Sequence, residues 1–183
     1  MERMIALVAE RPVATCTGVF AMLCLAAYPL ARGRSLLLTT YLGNNLGFAA
    51  HYALLDQATA VTMNVMLGMQ TLVALGLPRW PRLRWTYYAL IPVLLVASAV
   101  TWQGWLSLLS TTATTLSTFG RMQANELVLR LLMLESAPLW AVHDFLAGSL
   151  PGLLADLACI VIGGWMLLKY VPAKWKPGQQ ECS

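Results

Sequence analysis

Charge is the scarcest property of this 183-residue chain. Only 11% of its residues are charged, and 58% are hydrophobic, whereas soluble domains carry about 25% charged and 45–50% apolar residues. So little charge cannot cover a soluble surface, which argues against a soluble enzyme and against a disordered chain. The net charge of +4 does not indicate nucleic-acid binding, because the basic residues lie in separate short segments. The composition predicts a protein embedded in a lipid bilayer.

Motifs for catalysis, phosphate binding and metal binding are also missing. The chain has two histidines and four cysteines, and none of their spacings is typical of zinc or of a redox pair. There is no glycine-rich phosphate loop and no Ser–His–Asp context. We therefore expect a protein that is not an enzyme and that uses no cofactor and no metal.

Apolar runs separated by short polar or turn segments predict seven transmembrane helices. The first run resembles a signal peptide, but it is long for one and further spans follow, so we expect a first membrane helix. Spans of about 20 residues then use most of a single membrane domain, residues 1–183. The predicted spans are residues 12–31, 34–55, 57–77, 84–102, 104–120, 124–146 and 150–170, followed by a polar cytoplasmic tail at 171–183.

The basic residues between the spans predict the orientation of the chain. Positive residues mark the cytoplasmic side of a membrane. Every second loop and the tail are basic, whereas the other loops hold little charge beyond Asp56 and Asp144. This alternation requires an odd number of spans, with the N-terminus outside and the C-terminus in the cytoplasm. The basic residues on the predicted cytoplasmic side are Arg32, Arg34, Arg79, Arg82, Arg84, Arg121, Lys169, Lys174 and Lys176.

A shift of 92 residues aligns the first three spans with the last three. Under this shift the string Phe48-Ala-Ala-His51 falls on the string Trp140-Ala-Val-His143, so that the two histidines of the chain coincide. The alignment predicts two three-helix repeats. Because a single linker helix separates them, both repeats have the same orientation in the membrane, and the pseudo-twofold axis that relates them runs along the membrane normal. The first repeat, the linker helix and the second repeat are residues 12–77, 84–102 and 104–170.

This layout of three, one and three helices resembles the SWEET, semiSWEET and PQ-loop superfamily, which includes the Pnu vitamin transporters. The string Trp140-Ala-Val-His143-Asp144-Phe-Leu-Ala-Gly148-Ser149 resembles more specifically the YgjV-like family, in which Trp-x-x-His, then Asn or Asp, then Gly-Ser is prominent. The chain has no Pro-Gln dipeptide, so the hinge of the PQ-loop proteins is not carried over. The resemblance implies a multi-pass protein of the bacterial inner membrane that transports a small solute.

Polar side chains inside the spans are the candidates for a solute site. His51 and Asn64 lie about 6 and 10 Å from the outer ends of their spans, and His143 and Asp156 lie at nearly the same depths. We expect each histidine to approach the amide or the acid on the next helix, with Asp156 and His143 forming an ion pair or a neutral pair that exchanges a proton. The resemblance also places Asn64 where SWEET-like proteins have a pocket asparagine. The alternative is a structural role, in which these pairs only join neighbouring helices.

Glu135 and Asn44 lie near the middle of their spans. A carboxylate at mid-membrane costs about 2.5–3.5 kcal/mol on insertion scales, so it rarely lies there without a role. We expect Glu135 to face a cavity or, alternatively, to pair with Arg130. Glu126 and Arg130, four residues apart, are predicted to form an ion pair at the cytoplasmic end of the sixth span.

Two further residues of the sixth span are candidates. Trp140 shares a helix face with His143 and is suited to stacking on a planar or sugar-like solute, with packing as the alternative. Pro138 removes the backbone hydrogen bond to the carbonyl of Leu134, and the loosened turn predicts a hinge.

The sequence thus predicts a transporter of a small polar organic solute, which binds between the two repeats. Facilitated diffusion or proton coupling is expected, because no ATP-binding motif is present. The alternatives are a non-transporting receptor or an accessory subunit of a larger membrane complex and, more weakly, a Pnu-like vitamin carrier. Expected partners are the lipid bilayer, the solute and, as further options, a second copy or a larger membrane complex. The predicted solute-binding residues are Asn64, Asp156, His51, His143, Glu135, Asn44 and Trp140.

Overall fold

The computed structural model describes residues 10–174, with side chains up to residue 169, and every regular element in this range is helical. One helix coincides with each predicted span, and a short 3₁₀ turn at Tyr28–Leu30 extends the first. Most of the predicted tail lies outside the described residues. The helices are α1 (Pro12–Ala27), α2 (Arg34–Leu54), α3 (Ala58–Gly76), α4 (Leu83–Val100), α5 (Trp105–Met122), α6 (Glu126–Ala147) and α7 (Leu150–Lys174).

Local sequence signals set the ends of the longest hairpin, α6 and α7. The side chain of Asn125 accepts hydrogen bonds from the backbone N–H groups of Leu127 and Val128, which caps the start of α6. Gly148 ends the helix in the left-handed conformation at φ 78°, which glycine adopts without a steric penalty. Pro151 follows in the first turn of α7, where its missing N–H is not needed.

Four of the helices are long and apolar enough to cross a membrane. They span Pro12–Leu30, Ala58–Gly76, Leu83–Val100 and Leu150–Lys169. The other three, α2, α5 and α6, have comparable lengths of 21, 18 and 22 residues but carry most of the polar residues that the bundle buries. The chain is therefore all-helical with membrane-spanning segments, and the crossing of the three polar helices stays a prediction.

The bundle is apolar outside and polar inside. Large apolar side chains such as Phe20, Val100 and Leu168 are 54%, 80% and 76% exposed, while Gln70 and Arg121 are fully buried. Soluble proteins show the opposite distribution, in which Arg and Gln are mostly exposed. A lipid environment accounts for the apolar outer surface.

The helices pack in a closed cycle. α1 contacts α2, α2 contacts α3, α3 contacts α5, and the cycle continues through α6 and α7 back to α1. α4 lies outside the cycle and packs mainly on α3. The same contacts recur when each helix of α1–α3 is replaced by its counterpart in α5–α7.

Two arginines join the halves of the cycle at the end that carries most of the basic residues, which we call the basic end. Arg34, at the start of α2, donates to the carbonyls of Ala74 at 3.0 Å and of Arg121 at 3.4 Å. Arg130, near the start of α6, donates to the carbonyls of Pro29 at 2.8 Å and of Ala31 at 2.6 Å. A shift of 92 residues relates the Pro29 and Arg121 carbonyls. An arginine from each three-helix half, α1–α3 and α5–α7, therefore donates to a carbonyl at the end of the first helix of the other half.

Candidate functional site

A small cavity lies between α1, α2, α3, α6 and α7. Its volume is about 20 Å³, which holds about one water molecule, whereas solute pockets have volumes of about 300 Å³ or more. Three predicted site residues, Asn44, Trp140 and Asp156, meet in its wall. The complete lining is Leu25, Tyr41, Asn44, Asn45, Phe48, Tyr52, Leu67, Trp140, Asp144 and Asp156. We call it the central cavity.

The two asparagines of the lining are held by neighbouring helices. The side-chain amide of Asn44 donates to the carbonyl of Ala21 on α1 at 3.3 Å. Asn45 donates to the hydroxyl of Thr71 on α3 at 3.4 Å. Both asparagines are almost completely buried, so these hydrogen bonds restrain their side chains in the wall of the cavity.

Aromatic rings form one wall of the central cavity. Tyr52 stacks on Phe48 with ring centroids 5.5 Å apart, and on Trp140 at 6.3 Å. Trp140 also packs edge-on against His143 at 5.2 Å. The stacking surface expected of Trp140 is therefore occupied by Tyr52 in this closed state.

Asp144, rather than Asp156, is the partner of His143, so the expected pairing of His143 with Asp156 is wrong. His143 Nδ1 lies 2.9 Å from Asp144 Oδ1, and the Tyr52 hydroxyl donates to the same oxygen. The rotation of α6 about its axis buries His143 and the next residue, Asp144, side by side. Asp156 lines the cavity, is 6% exposed, and makes no hydrogen bond or ion pair with another residue of the described range.

The expected pairing of His51 with Asn64 is also wrong. His51 Nδ1 lies 2.7 Å from the carbonyl of Ala14, and its Nε2 lies 2.9 Å from the hydroxyl of Ser149. Asn64 instead donates to the carbonyl of Ala60 in its own helix at 2.9 Å. The close approach of α1 and α7 to α2 gives the imidazole two nearer partners. His51 therefore joins α2 to α1 and to the turn between α6 and α7, and it is not among the residues that line the cavity.

Glu135 faces the outside of the bundle, so its predicted place at an internal cavity is wrong. It is exposed on α6, as is the predicted hinge residue Pro138. The carboxylate that Arg130 contacts is Glu126, at 2.7 Å, which confirms the predicted pair at four-residue spacing. Glu135 interrupts an apolar stripe on the surface of α6. The exposed residues of this stripe are Val128, Leu131, Glu135, Pro138, Val142, Phe145 and Leu146.

Arg121 is a buried cation that sequence reasoning assigned to a cytoplasmic loop. It lies in the last turn of α5 and is fully buried. Its Nε donates to the hydroxyl of Thr71 at 2.9 Å, and its guanidinium lies 4.6 Å from the ring centroid of Tyr41. Buried side-chain atoms without a hydrogen-bond partner in the described range are Tyr28 OH, Gln70 Nε2, Arg121 Nη1 and Arg121 Nη2.

A larger cavity opens beside Arg121 at the basic end. Its volume is about 500 Å³, within the range of solute pockets. We call it the basic cavity, because two arginines line it with mostly apolar neighbours. Tyr87 in its wall donates its hydroxyl to the carbonyl of Thr118 at 2.6 Å. The lining residues are Arg34, Leu77, Pro78, Pro81, Arg84, Tyr87, Tyr88, Met122 and Ala124.

The side chains of residues 10–169 give no candidate metal centre. Among the residues that the structure describes, no group of three His, Cys, Asp or Glu side chains could hold a metal ion. The polar groups inside the described bundle include the carboxyl groups of Asp144 and Asp156 and the imidazoles of His51 and His143, which can form hydrogen bonds and recognise charge.

Comparison with known proteins gives one match. The family model Imp-YgjV, described as a bacterial inner membrane protein, matches residues 13–174. No curated protein and no solved structure matches the chain.

Proposed function

The chain belongs to the Imp-YgjV family of bacterial inner membrane proteins, and on that premise we propose that it transports a small polar organic solute. The proposal includes seven membrane spans in two three-helix repeats, α1–α3 and α5–α7, with α4 as the linker helix. It places the N-terminus outside and the basic end in the cytoplasm, following the basic loops. The repeated helix contacts and the matching arginine–carbonyl bonds support this arrangement.

The central cavity is the observation that carries the proposal. A buried carboxyl group, Asp156, faces it without a partner in the described range, beside the amides of Asn44 and Asn45. Polar groups at this depth are expensive unless they meet a partner or a cavity. A solute that supplies hydrogen bonds to these groups would offset that cost. Sites between repeats near the bilayer midplane are common in transporters.

In the proposed transport cycle, the small volume of the central cavity corresponds to a state that is too narrow to hold the solute. Away from the basic end, the cavity is closed by the Tyr52–Asp144 and His51–Ser149 hydrogen bonds. At the basic end, Arg34 and Arg130 hold the halves together. Rocking of one repeat against the other would break one set of bonds while the other persists, which opens the cavity to one side at a time.

Asp156 is the residue proposed to carry a proton or to bind a cationic group of the solute. A carboxylic acid donates one hydrogen bond when protonated and only accepts when ionised. Proton release would therefore change which solute groups the cavity holds. Asn44 and Trp140 are proposed to orient the solute, and Pro138 stays a proposed hinge of α6.

A solute screen tests the proposal. The purified protein in detergent is screened by thermal shift against sugars, nucleosides, vitamins, amines and amino acids at several pH values, and any hit is then tested for flux in proteoliposomes. A solute at 100 times its Kd should stabilise the fold by about 2.7 kcal/mol. We expect Asp156→Asn to abolish proton-dependent flux.

Glu135→Gln is the matched control for this screen, because it makes the same acid-to-amide change on the outer surface. It should retain both the thermal shift and the flux. A hit whose shift and flux are equally unaffected by both variants would remove Asp156 from the site. Absence of any shift or flux would contradict transport.

A second candidate is an accessory subunit of a larger membrane complex, and Glu135 is the observation that favours it. An ionised group in the middle of an apolar, lipid-facing stripe is costly, and a partner helix with a hydrogen-bond donor would reduce that cost. Crosslinking from a photoreactive residue at Val142, in native membranes, should then capture a partner chain. The transporter proposal expects lipid contact there.

A further inference from the structure

The buried guanidinium of Arg121 has N–H groups that make no hydrogen bond to another described residue. Its Nε is bonded to Thr71 and one face lies on the Tyr41 ring, but Nη1 and Nη2 have no hydrogen-bond partner among the described residues. None of the ion pairs found in residues 10–169 includes Arg121. An arginine cannot lose its charge inside a protein, so burial without an anion leaves both the charge and the donors uncompensated.

The unpartnered atoms near Arg121 are also donors. Tyr28 packs edge-on against Tyr41, with ring centroids 5.0 Å apart, and its buried hydroxyl has no partner in the described range. Gln70 precedes Thr71, its Oε1 accepts from Thr118 at 2.9 Å, and its Nε2 is unpartnered. The neighbourhood of Arg121 therefore offers several N–H and O–H donors without matching acceptors.

We propose that Arg121, with Tyr28 and Gln70, binds the anionic group of the transported solute, and that this group is a carboxylate. The inference rests on the proposed transport function and names its substrate class as small organic carboxylates. A carboxylate only accepts hydrogen bonds, and it matches two N–H groups of a guanidinium in the bidentate geometry. A neutral sugar or nucleoside would leave the Arg121 charge unpaired.

The basic cavity supplies a route to Arg121. Met122, the next residue in the chain, lines that cavity, and so does Tyr87, which bonds to Thr118 one turn before Arg121. Arg34, also in its wall, donates to the Arg121 carbonyl. Arg121 itself does not line the basic cavity, but an anion there would be attracted by the cavity's own Arg34 and Arg84 and would lie close to the chain neighbours of Arg121.

Asp156 provides the complementary charge chemistry within the same bundle. Tyr41 contacts Arg121 and lines the central cavity together with Asp156. A carboxylate on Arg121 and a proton on Asp156 would neutralise both buried charges at once. Movement of a monocarboxylate with one proton would then transfer no net charge.

Thermal shift and isothermal titration of the purified full-length protein test the proposal with matched ligand pairs. Acetate, lactate, succinate and glutamate are each compared with the corresponding neutral amide or alcohol, and chloride and inorganic phosphate form separate arms at equal ionic strength. We expect at least one carboxylate to bind and its neutral analogue to bind about tenfold more weakly or not at all. Binding of chloride or phosphate alone would overturn the carboxylate assignment.

Three variants locate the binding group. Arg121→Gln should weaken carboxylate binding about tenfold or more. Arg82→Gln, which removes an exposed charge from the same end, should change it less than about twofold. Tyr28→Phe removes a hydroxyl that has no hydrogen-bond partner among the described residues, so the melting temperature without ligand should not fall, whereas the carboxylate-induced shift should shrink.

The outcomes separate this inference from the transport function. If neutral solutes bind and are transported equally well by Arg121→Gln, the carboxylate assignment is wrong and transport stands. If no solute of any class binds or moves, transport itself is contradicted. If Arg121→Gln fails to fold, Tyr28→Phe decides, because an unchanged carboxylate shift in that variant would overturn the proposal.

Discussion

The hydroxyl of Tyr52 donates a hydrogen bond to the carboxylate of Asp144, which lies 92 residues further along the chain. The separation equals the shift that aligns the two halves of the sequence, so the two residues occupy equivalent positions on α2 and α6. Equivalent positions meet only where the pseudo-twofold axis passes. In the proposed two-repeat arrangement, the bond between them therefore lies on or beside that axis, at the end of the bundle opposite the arginines.

The Tyr52–Asp144 bond should contribute measurably to stability. We expect Tyr52→Phe to lower the free energy of unfolding by about 1–2 kcal/mol, because a hydrogen bond to a buried acid is lost while the ring packing is kept. Tyr88→Phe, at a half-exposed position, is the control and should change it by less than about 0.5 kcal/mol. Unfolding of both variants in mixed micelles measures the difference, and equal stabilities would contradict the proposed closure.

The number of spans can be tested by parity. Seven spans place the two termini on opposite sides of the membrane, whereas the four strongly apolar helices alone would place them on the same side. We expect a fluorescent protein fused to the C-terminus to fluoresce and an alkaline phosphatase fused there to be inactive, since the proposal places the basic end in the cytoplasm. Phosphatase inserted after Asp56 should be active, and insertion after Trp80 should not. Termini on one side would contradict the seven-span arrangement.

Gly18 allows α1 to approach α2 and α7 closely. A Cβ at this position would lie 2.8 Å from His51 Nδ1 and 2.9 Å from two atoms of Pro151. We expect Gly18→Ala to lower the free energy of unfolding by about 1–3 kcal/mol, because the proline ring cannot give way easily. Gly164→Ala meets no atom within 4 Å and should be neutral or slightly stabilising. The same unfolding assay compares the two, and a Gly18→Ala protein as stable as Gly164→Ala would contradict the packing.

Glu135 gives the clearest contrast between an internal and an external acid. Glu135→Leu extends the apolar stripe of α6, so the purified protein should unfold at the same or a higher temperature. Solute-induced thermal shifts should also be retained, because Glu135 lies outside the central cavity. Loss of the solute-induced thermal shift in this variant would show that Glu135 contributes to the solute-binding site.

Helix positions could be predicted from the sequence, but the partners of polar side chains could not. Apolar runs placed a helix at each predicted span to within a few residues, because the 20-residue length scale is strong. The sequence also places His143 and Asp156 on consecutive helices, as the structure does. Whether these two side chains pair depends on how each helix is rotated about its axis, because a difference of one residue turns a side chain by about 100°. The observed rotation makes Asp144, and not Asp156, the partner of His143.

Arg121 and Asp144 were overlooked because both were counted as loop charges. Span five was predicted to end at residue 120, while α5 continues through Met122 and carries Arg121 into the bundle. The signal for Asp144 was present in the sequence, since the 92-residue shift places it on Tyr52. No comparable signal existed for Arg121, whose counterpart is Pro29, because its burial depends on how α3 and α5 cross.

The two ends of the bundle are fastened by groups with different acid–base behaviour. At the basic end, guanidinium groups hold main-chain carbonyls, and neither group changes protonation in the physiological range. At the other end, the bonds run through His51, Tyr52, His143 and Asp144. In the proposed transporter, closure of the end opposite the arginines therefore depends on side chains of ionisable types, whereas closure of the basic end depends on groups whose charge is fixed.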